Sequence, residues 1–195
     1  MRQLTYYVAC SVDGFIAHKD GSHDGFSQDG DYLSEIFTVF PETVPSHLRS
    51  ALNIQGENKW FDTVLMGRKT YEIGLKEGVS SPYSHMTQYL FSRSMKESPD
   101  ENVRLVSHNA ADQVAALKKE PGKGIWLCGG AALATTLFAA NLIDQLILKI
   151  NPFLMGAGIP LFSGTVQQTA LELSDKTVYK NGVILLYYNV IHSTT

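Results

Sequence analysis

Apolar residues follow two alternating patterns along the chain. Short runs rich in β-branched and aromatic residues, bounded by Gly, Asn, Asp or Ser, predict strands, and apolar residues spaced three or four apart predict helices between them. Because strands and helices alternate, the pattern predicts an α/β fold with a mainly parallel sheet and helices on both of its faces. The predicted strands lie at 4–10, 63–66, 88–92, 103–106, 125–128, 143–150, 170–178 and 183–191, and the predicted helices at 30–40, 46–60, 69–76, 110–119 and 130–140.

The last part of the chain has a different pattern. Asn181 and Gly182 separate two strand-like runs, and this dipeptide favours the tight turn of a β-hairpin. The sheet should therefore end in antiparallel strands. A length of 195 residues without an internal repeat predicts one domain over 1–195.

Composition narrows the range of functions. Hydrophobic residues make up 44% and charged residues 18%, and the net charge of -3 argues against a nucleic-acid-binding protein, which needs a basic face. Because no run reaches 18 apolar residues and the first residues lack a secretory pattern, we expect a cytoplasmic protein without a membrane partner. Cys10 and Cys128 each lie in an apolar run, which predicts buried thiols rather than a disulfide. The six histidines show no metal-ligand spacing, so we expect no metal site.

Positive charges follow the strand at 63–66. Gly67 is succeeded by Arg68, Lys69 and Thr70 at the start of a predicted helix. Cations oppose the helix dipole at that end, although they could simply be solvated. A bound phosphate would reverse the penalty, since helix N–H groups, cations and a hydroxyl would all face it.

Two further strands end in groups that suit a phosphate. Gly129 and Gly130 open a helix whose first residues are Ala131 and Ala132, a pattern that serves either a tight turn or close approach of a phosphate. Ser92 and Arg93 follow another strand. Three such ends along one sheet edge predict a dinucleotide site, but the G-x-G-x-x-G sequence of the standard Rossmann frame is absent.

Two aspartates are candidates for a substrate-binding or proton-relay role. Asp13 lies in a Ser-x-Asp-Gly turn after the first strand, where it could equally satisfy its own backbone, and Asp31 lies near the start of the first helix. The polar segment 17–30 between them is either a surface loop or a lid over a ligand. No pattern of a hydrolytic nucleophile is present.

The ordered set of motifs resembles the dihydrofolate reductase-like superfamily. The similarity is strongest to the branch that contains the C-terminal reductase domain of bifunctional riboflavin-biosynthesis deaminase-reductases. The resemblance implies an eight-stranded, mostly parallel sheet with an antiparallel C-terminal hairpin. The motifs are, in chain order, "SVDGFIA", "VLMGRKTYE", "YLFSRS", "IWLCGGAALATTLF" and "LIDQLILKINPFLMGAGIPLF".

The resemblance also implies that the chain uses NADPH. It assigns the cofactor phosphates to the Gly67 turn and the first turn of the next helix, the adenosine 2′-phosphate to the third strand end, the pyrophosphate to the Gly-Gly turn, and the nicotinamide to two apolar residues. Matched to this sequence, those residues are Gly67, Arg68, Lys69 and Thr70, then Ser92 and Arg93, then Gly129, Gly130, Ala131 and Ala132, and finally Ala9 and Ile16.

The sequence departs from the superfamily in two regions. The segment that carries an acid in dihydrofolate reductases reads "HDGFSQDGDYLSEIF", in which Asp31 is the nearest candidate, and the zinc deaminase half of the bifunctional enzymes is absent. We therefore expect an NADPH-dependent reductase of a small heterocyclic, ribosylaminopyrimidine-like or pterin-like substrate. The alternatives are a true dihydrofolate reductase and a non-catalytic NADPH-binding module. The apolar C-terminal strands would suit the interface of a homodimer.

Overall fold

The computed structural model describes residues 1–27 and 31–192, and the side chain of Asp31 also falls outside that description. Ten strands and five α-helices alternate along this part of the chain. The strands are β1 Leu4–Ser11, β2 Phe15–Ala17, β3 Phe61–Gly67, β4 Thr87–Phe91, β5 Val103–Val106, β6 Gly124–Gly129, β7 Gln145–Asn151, β8 Ile159–Pro160, β9 Leu171–Val178 and β10 Ile184–Val190. The helices are α1 Asp31–Val39, α2 Ser46–Arg49, α3 Arg68–Lys76, α4 Ala110–Leu117 and α5 Ala131–Ala139.

Eight strands form one sheet in the order β5-β4-β3-β6-β1-β7-β10-β9. The first six are parallel, whereas β10 runs antiparallel to both β7 and β9. The mostly parallel sheet with an antiparallel C-terminal hairpin is therefore confirmed. The turn of that hairpin contains Gly182 with a φ of 85°, a left-handed conformation that glycine adopts without steric cost.

Neighbouring side chains of each central strand point to opposite faces of the sheet, and both faces are buried. In β3, Leu65 packs in one cluster with Leu137 of α5, whereas Val64 and Met66 pack in another with Tyr71 of α3. We call the first side the α5 face, covered by α4 and α5, and the second the α3 face, covered by α1 and α3. The predicted helices on both faces are confirmed.

The predicted helix at 46–60 is wrong. Helix α2 ends at Arg49, and Asn53 then takes a left-handed conformation with a φ of 53°. The Arg49 guanidinium donates to the carbonyl oxygens of Pro41 and Gly56, so that side-chain bonds, rather than further helical turns, satisfy this segment. A small second sheet, in which β2 pairs with β8, was also not predicted from the sequence.

Candidate functional site

The central crevice lies at the carboxyl ends of β3 and β6. These strands are neighbours, yet the helices that follow them cover opposite faces: α3 follows β3 and α5 follows β6. At such a switch point in an α/β sheet the two connections diverge and leave an opening for a ligand. The topology therefore brings the Gly67 turn and the Gly129–Gly130 turn together.

Glycine allows these two turns to approach each other closely. A Cβ atom on Gly67 would lie 3.2 Å from the backbone nitrogen of Gly130, and one on Gly129 would lie 3.2 Å from the Thr70 hydroxyl oxygen. Gly129 also has a φ of 147°, and the peptide bond between Gly129 and Gly130 is cis. Larger side chains would fill the space between the turns, so the residues form a cradle of backbone atoms.

Two helices begin in this cradle without side-chain caps. Gly67 is the N-cap of α3 and Gly130 is the N-cap of α5, and neither can supply a capping oxygen. The first N–H groups of a helix have no partner within the helix itself. Both helix starts therefore present donors and positive dipole ends suited to an anion. Ala131 is buried and Ala132 is exposed in the first turn of α5.

The predicted cationic side chains lie on the surface around the cradle. Arg68 donates to Glu72 at 3.1 Å in a salt bridge whose side chains are 45% and 38% exposed, and Lys69 is exposed. Arg93 is exposed beyond the end of β4, whereas the neighbouring Ser92 is buried and its hydroxyl oxygen accepts from the Met95 N–H at 3.1 Å. The serine thus shapes the turn from which Arg93 projects.

The two residues expected at the nicotinamide occupy different sheets. Ala9 lies near the carboxyl end of β1, opposite Lys149 of β7, and Ile16 lies in β2 of the small sheet. Both are partly buried. The turn between the two strands is fixed by Ser11, whose hydroxyl oxygen accepts from the Phe15 N–H at 3.0 Å.

Asp13 anchors a distant loop. Its carboxylate accepts from the Ser11 hydroxyl at 2.6 Å, from the Met155 N–H at 3.0 Å and from the Gly156 N–H at 2.7 Å. The Ser11 bond first, and then the backbone bonds, lower the pKa of Asp13 to about 2. At neutral pH this group is therefore an acceptor rather than a proton donor. The other candidate acid, Asp31, has its side chain outside the described residues.

The segment after β2 forms turns and is tied to the sheet at its end. The Ser27 N–H donates to Asn151 Oδ1 at 3.2 Å, and the Asn151 amide donates to the Cys10 carbonyl at 3.3 Å. The predicted role of this segment as a lid stays a prediction. A shallow depression of about 510 Å³ on its outer surface is lined by His18, Lys19, Asp20, Ser22, Asp24 and Ala157.

A group of polar side chains on the α3 face was not predicted from the sequence. Lys149 lies inside β7, and Tyr7 and Tyr187 lie on β1 and β10 at neighbouring positions of the same face. The available signal was a lysine within the apolar run "LILKI", which period-two patterning would have assigned to a buried face.

The cysteines and the potential metal ligands that the structure describes form no second site. Both cysteines are free, as predicted, and burial raises the pKa of Cys10 to about 11 and that of Cys128 to about 12, so neither is a reactive thiolate at neutral pH. Within residues 1–27 and 31–192, no His, Cys, Asp and Glu side chains form a group of three that could hold a metal ion. None of the helices described is long and apolar enough to cross a membrane.

Comparisons with known proteins agree with this architecture. The family model of the RibD C-terminal domain matches residues 2–185. The uncharacterised protein YwjB of Bacillus subtilis is 33% identical over 186 residues, which cover 95% of this chain and 97% of that protein.

Solved structures share the fold at lower identity. A Shewanella sp. PV-4 protein named for riboflavin biosynthesis superposes with a TM-score of 0.72 at 24% identity, covering 98% of this chain and all of that one. The Thermotoga maritima diaminohydroxyphosphoribosylaminopyrimidine deaminase/5-amino-6-(5-phosphoribosylamino)uracil reductase gives a TM-score of 0.63 at 12% identity, over 97% of this chain and 57% of that one. The family match extends over nearly the whole length, and the chain therefore belongs to the RibD C-terminal domain family.

Proposed function

We propose that this protein is an NADPH-dependent reductase of a small heterocyclic substrate, of the ribosylaminopyrimidine or pterin type. The observation that carries the proposal is the convergence of two uncapped helix starts on one glycine cradle at the switch point of the sheet. Membership of the RibD C-terminal domain family supports a riboflavin-pathway type of reductase. The Thermotoga maritima relative is named as a reductase of a phosphoribosylaminouracil, which suggests the substrate class.

The cradle fits the phosphate groups of NADPH. Gly67, Gly129 and Gly130 have no side chains that would block a pyrophosphate, and a Cβ atom on any of them would come within 3.3 Å of an atom on the facing turn. The N–H groups that open α3 and α5, with Thr70, would bind it. Arg68, Lys69 and Arg93 are exposed at the rim and would meet the additional 2′-phosphate that distinguishes NADPH from NADH.

The cofactor would supply the hydride, and the protein would hold the nicotinamide ring and the substrate in the orientation needed for its transfer. Ala9 is small and Ile16 is apolar, so they would border a flat nicotinamide ring without competing hydrogen bonds. Asp13 holds the loop at Met155 and Gly156 against the turn after β1, which keeps this edge of the opening in place. Catalysis would then rest mainly on orientation and on exclusion of water.

Calorimetric titration with NADPH and with NADH tests the proposal directly. We expect NADPH to bind at least about tenfold more tightly, because each additional charge-assisted hydrogen bond contributes about 1.5–3 kcal/mol. Equal affinity for the two nucleotides would contradict the 2′-phosphate assignment. Binding of neither would remove the basis of the proposed function.

A matched pair of glycine variants tests the location of the site. Gly130→Val adds a side chain against the Thr70 hydroxyl, where even a Cβ would lie at 3.3 Å, and should abolish NADPH binding. Gly56→Val is the control, since a Cβ on Gly56 has no atom within 4 Å. Circular dichroism would show that both variants are folded. Unchanged NADPH affinity in Gly130→Val would reject the cradle as the pyrophosphate site.

A non-catalytic NADPH-binding module is the second candidate. The low pKa of Asp13 favours it, because this carboxylate cannot donate a proton at neutral pH. The two candidates differ in turnover: a reductase oxidises NADPH when a pterin or ribosylaminopyrimidine is added, whereas a binding module does not. Turnover of dihydrofolate in the same assay would identify a true dihydrofolate reductase.

A further inference from the structure

Lys149 is a partly buried cation inside the sheet that no described anion neutralises. Its partners on the two strands that flank β7 are Ala9 of β1 and Leu185 of β10, neither of which has a polar side chain. Its ammonium group makes no hydrogen bond with any residue in the described ranges. The ion pairs in that part of the chain are Arg2–Asp62, Arg68–Glu72 and Lys118–Asp144.

The nearest compensation for this charge is an aromatic ring. The Lys149 Nζ atom lies 5.5 Å from the centroid of the Tyr32 ring on α1. A ring face attracts a cation but accepts no conventional hydrogen bond, so the Tyr32 ring takes up none of the three N–H donors of the ammonium, and none of the residues described accepts from them. Removal from water lowers the pKa of Lys149.

Two tyrosine hydroxyls add to these donors. Tyr7 and Tyr187 flank the same β7 residue, Ile147, on the α3 face. Neither hydroxyl forms a hydrogen bond with a described residue. Burial is the main reason that the pKa of Tyr7 is raised, and the proximity of Tyr187 and two further tyrosines is the next. Tyr7 and Tyr187 therefore share the α3 face with Lys149, which lies two residues further along β7 than Ile147.

The position of these donors relates them to the proposed nicotinamide site. Lys149 is the direct strand partner of Ala9, and Asn151, the next β7 residue on the same face, binds the Ser27 backbone. The ammonium thus lies between the end of the 17–27 segment and the tyrosines, on the side of the sheet that α1 covers. A molecule reduced next to Ala9 would extend over Lys149.

We propose that Lys149 is the substrate-binding cation of this protein and that it binds an anionic oxygen, with the hydroxyls of Tyr7 and Tyr187 as further donors. This inference rests on the proposed function, because it concerns the substrate of the same site. A lysine and two phenols offer donors in excess of acceptors, so they fit a substrate with a phosphate or carboxylate group. An uncharged ring would leave the ammonium without a counter-charge among the residues that the structure describes.

Two pairs of probes separate the sources of the anionic oxygen. Ribose 5-phosphate is compared with ribose, and orotate with uracil, in calorimetric titrations of the full chain with and without saturating NADPH. We expect the charged member of at least one pair to bind about tenfold or more tightly than its neutral partner. A preference in the first pair identifies a phosphate and one in the second a ring carboxylate. Absence of a charge preference in both pairs overturns the proposal.

Three variants assign that preference to a residue. Lys149→Met keeps the length of the side chain and removes the charge, so the preference should disappear, whereas Lys149→Arg should retain part of it. Lys176→Met is the control, because Lys176 also lies on a strand, β9, but is exposed to solvent. If the preference persists in Lys149→Met, the proposal is wrong.

Melting temperatures distinguish a binding role from a purely structural one. A desolvated cation kept for binding costs stability, so Lys149→Met should raise the melting temperature by about 2–4 °C. A lowered melting temperature together with a retained charge preference would overturn the proposal and assign Lys149 to the contact with Tyr32 alone. NADPH titration of the same variants distinguishes the role of Lys149 from the proposed function. Failure to bind NADPH contradicts the proposed function. Loss of the charge preference with intact NADPH binding supports the role of Lys149.

Discussion

Glu42 shows how a single buried side chain can replace a stretch of secondary structure. It is fully buried, and its Oε1 atom accepts from the Trp60 N–H at 2.6 Å and from the Phe61 N–H at 2.7 Å. Its Oε2 atom has no hydrogen-bond partner among the residues described. The carboxylate therefore fixes the start of β3 after the irregular segment that follows α2.

Substitutions at Glu42 should separate two contributions to the free energy of unfolding: that of the two hydrogen bonds and that of the buried charge. Glu42→Gln keeps an acceptor for both N–H groups and removes the buried charge, so we expect stability close to that of the natural protein. Glu42→Ala leaves two buried donors unsatisfied and should be less stable than Glu42→Gln by about 2–4 kcal/mol. Urea unfolding measures both values. Equal stability of the two variants would show that the backbone donors find other partners.

The Asp13 anchor should weaken in acid. The folded-state pKa of about 2 lies below the ordinary value of 3.8, so the stabilisation is complete above about pH 4 and is lost as the pH falls through about 2. Asp13→Asn should therefore reduce stability at pH 7, and the difference from the natural protein should shrink between pH 4 and pH 2. Urea unfolding midpoints at a series of pH values measure this difference.

Asp20 provides the control for that experiment. Its pKa is also lowered, chiefly by the hydroxyl of Ser22, but this partner is only two residues away and the hydrogen bond between them is exposed. Asp20→Asn should consequently change the midpoint little at any pH. A pH-independent loss in Asp13→Asn would mean that shape, and not charge, holds the loop at Met155 and Gly156.

At the scale of whole elements, the sequence predicted correctly the helices that local interactions determine. The helix predicted at 69–76 is observed as α3 at Arg68–Lys76, and the one predicted at 130–140 as α5 at Ala131–Ala139. Each follows a buried strand and a glycine, and this combination is visible without tertiary information. Two of the strand ends that the sequence assigned to phosphate binding, those of β3 and β6, meet in one crevice because the two strands are neighbours in the sheet.

Elements that depend on distant contacts were not predictable. The segment after α2 has helical spacing, but Arg49 and Asn53 turn it away, through contacts with carbonyl oxygens that the sequence does not identify as partners. Strand β2 exists because β8, more than 140 residues later, pairs with it. Lys149 was missed because a lysine in a strand is ordinarily exposed, although the apolar residues around it in "LILKI" indicate a buried face.

The contact between the β3–α3 and β6–α5 turns leads to a prediction about stability. Gly67 has ordinary extended backbone angles, so an alanine there is not strained by its own conformation. Its Cβ would nevertheless lie 3.2 Å from the Gly130 nitrogen and 3.5 Å from the Gly129 oxygen, which are backbone atoms that cannot rotate away. Gly67→Ala should therefore lower the free energy of unfolding by about 1–3 kcal/mol. Gly56→Ala, in open space, should not, and equal stability of the two variants would contradict this tight approach.

At the scale of the whole molecule, the edge strand β9 of the C-terminal hairpin carries exposed apolar side chains on one face of the sheet. A bulge near Ser174 shifts the pairing of β9 with β10, so that Leu173 faces Tyr188 while Val178 faces Ile184. The extra residue keeps the apolar side chains of β9 on the same face on both sides of the bulge. Leu171, Leu173 and Val178 are 40%, 47% and 67% exposed on this edge strand.

An exposed apolar stripe on an edge strand is the surface that we expect a second copy of the chain to cover. Light scattering should then give twice the chain mass of 21.5 kDa at micromolar concentration. The double variant Leu173→Asp and Val178→Asp would place two charges in that interface and should shift the protein to the monomer, with NADPH affinity unchanged because the cradle lies at other strands. Leu52→Asp is the control, because it also replaces an exposed apolar residue by a charge but lies outside the hairpin. Leu52 is 45% exposed, and its substitution should leave the dimer intact. A monomeric natural protein, or a dimer that survives both aspartates, would reject the hairpin as the interface.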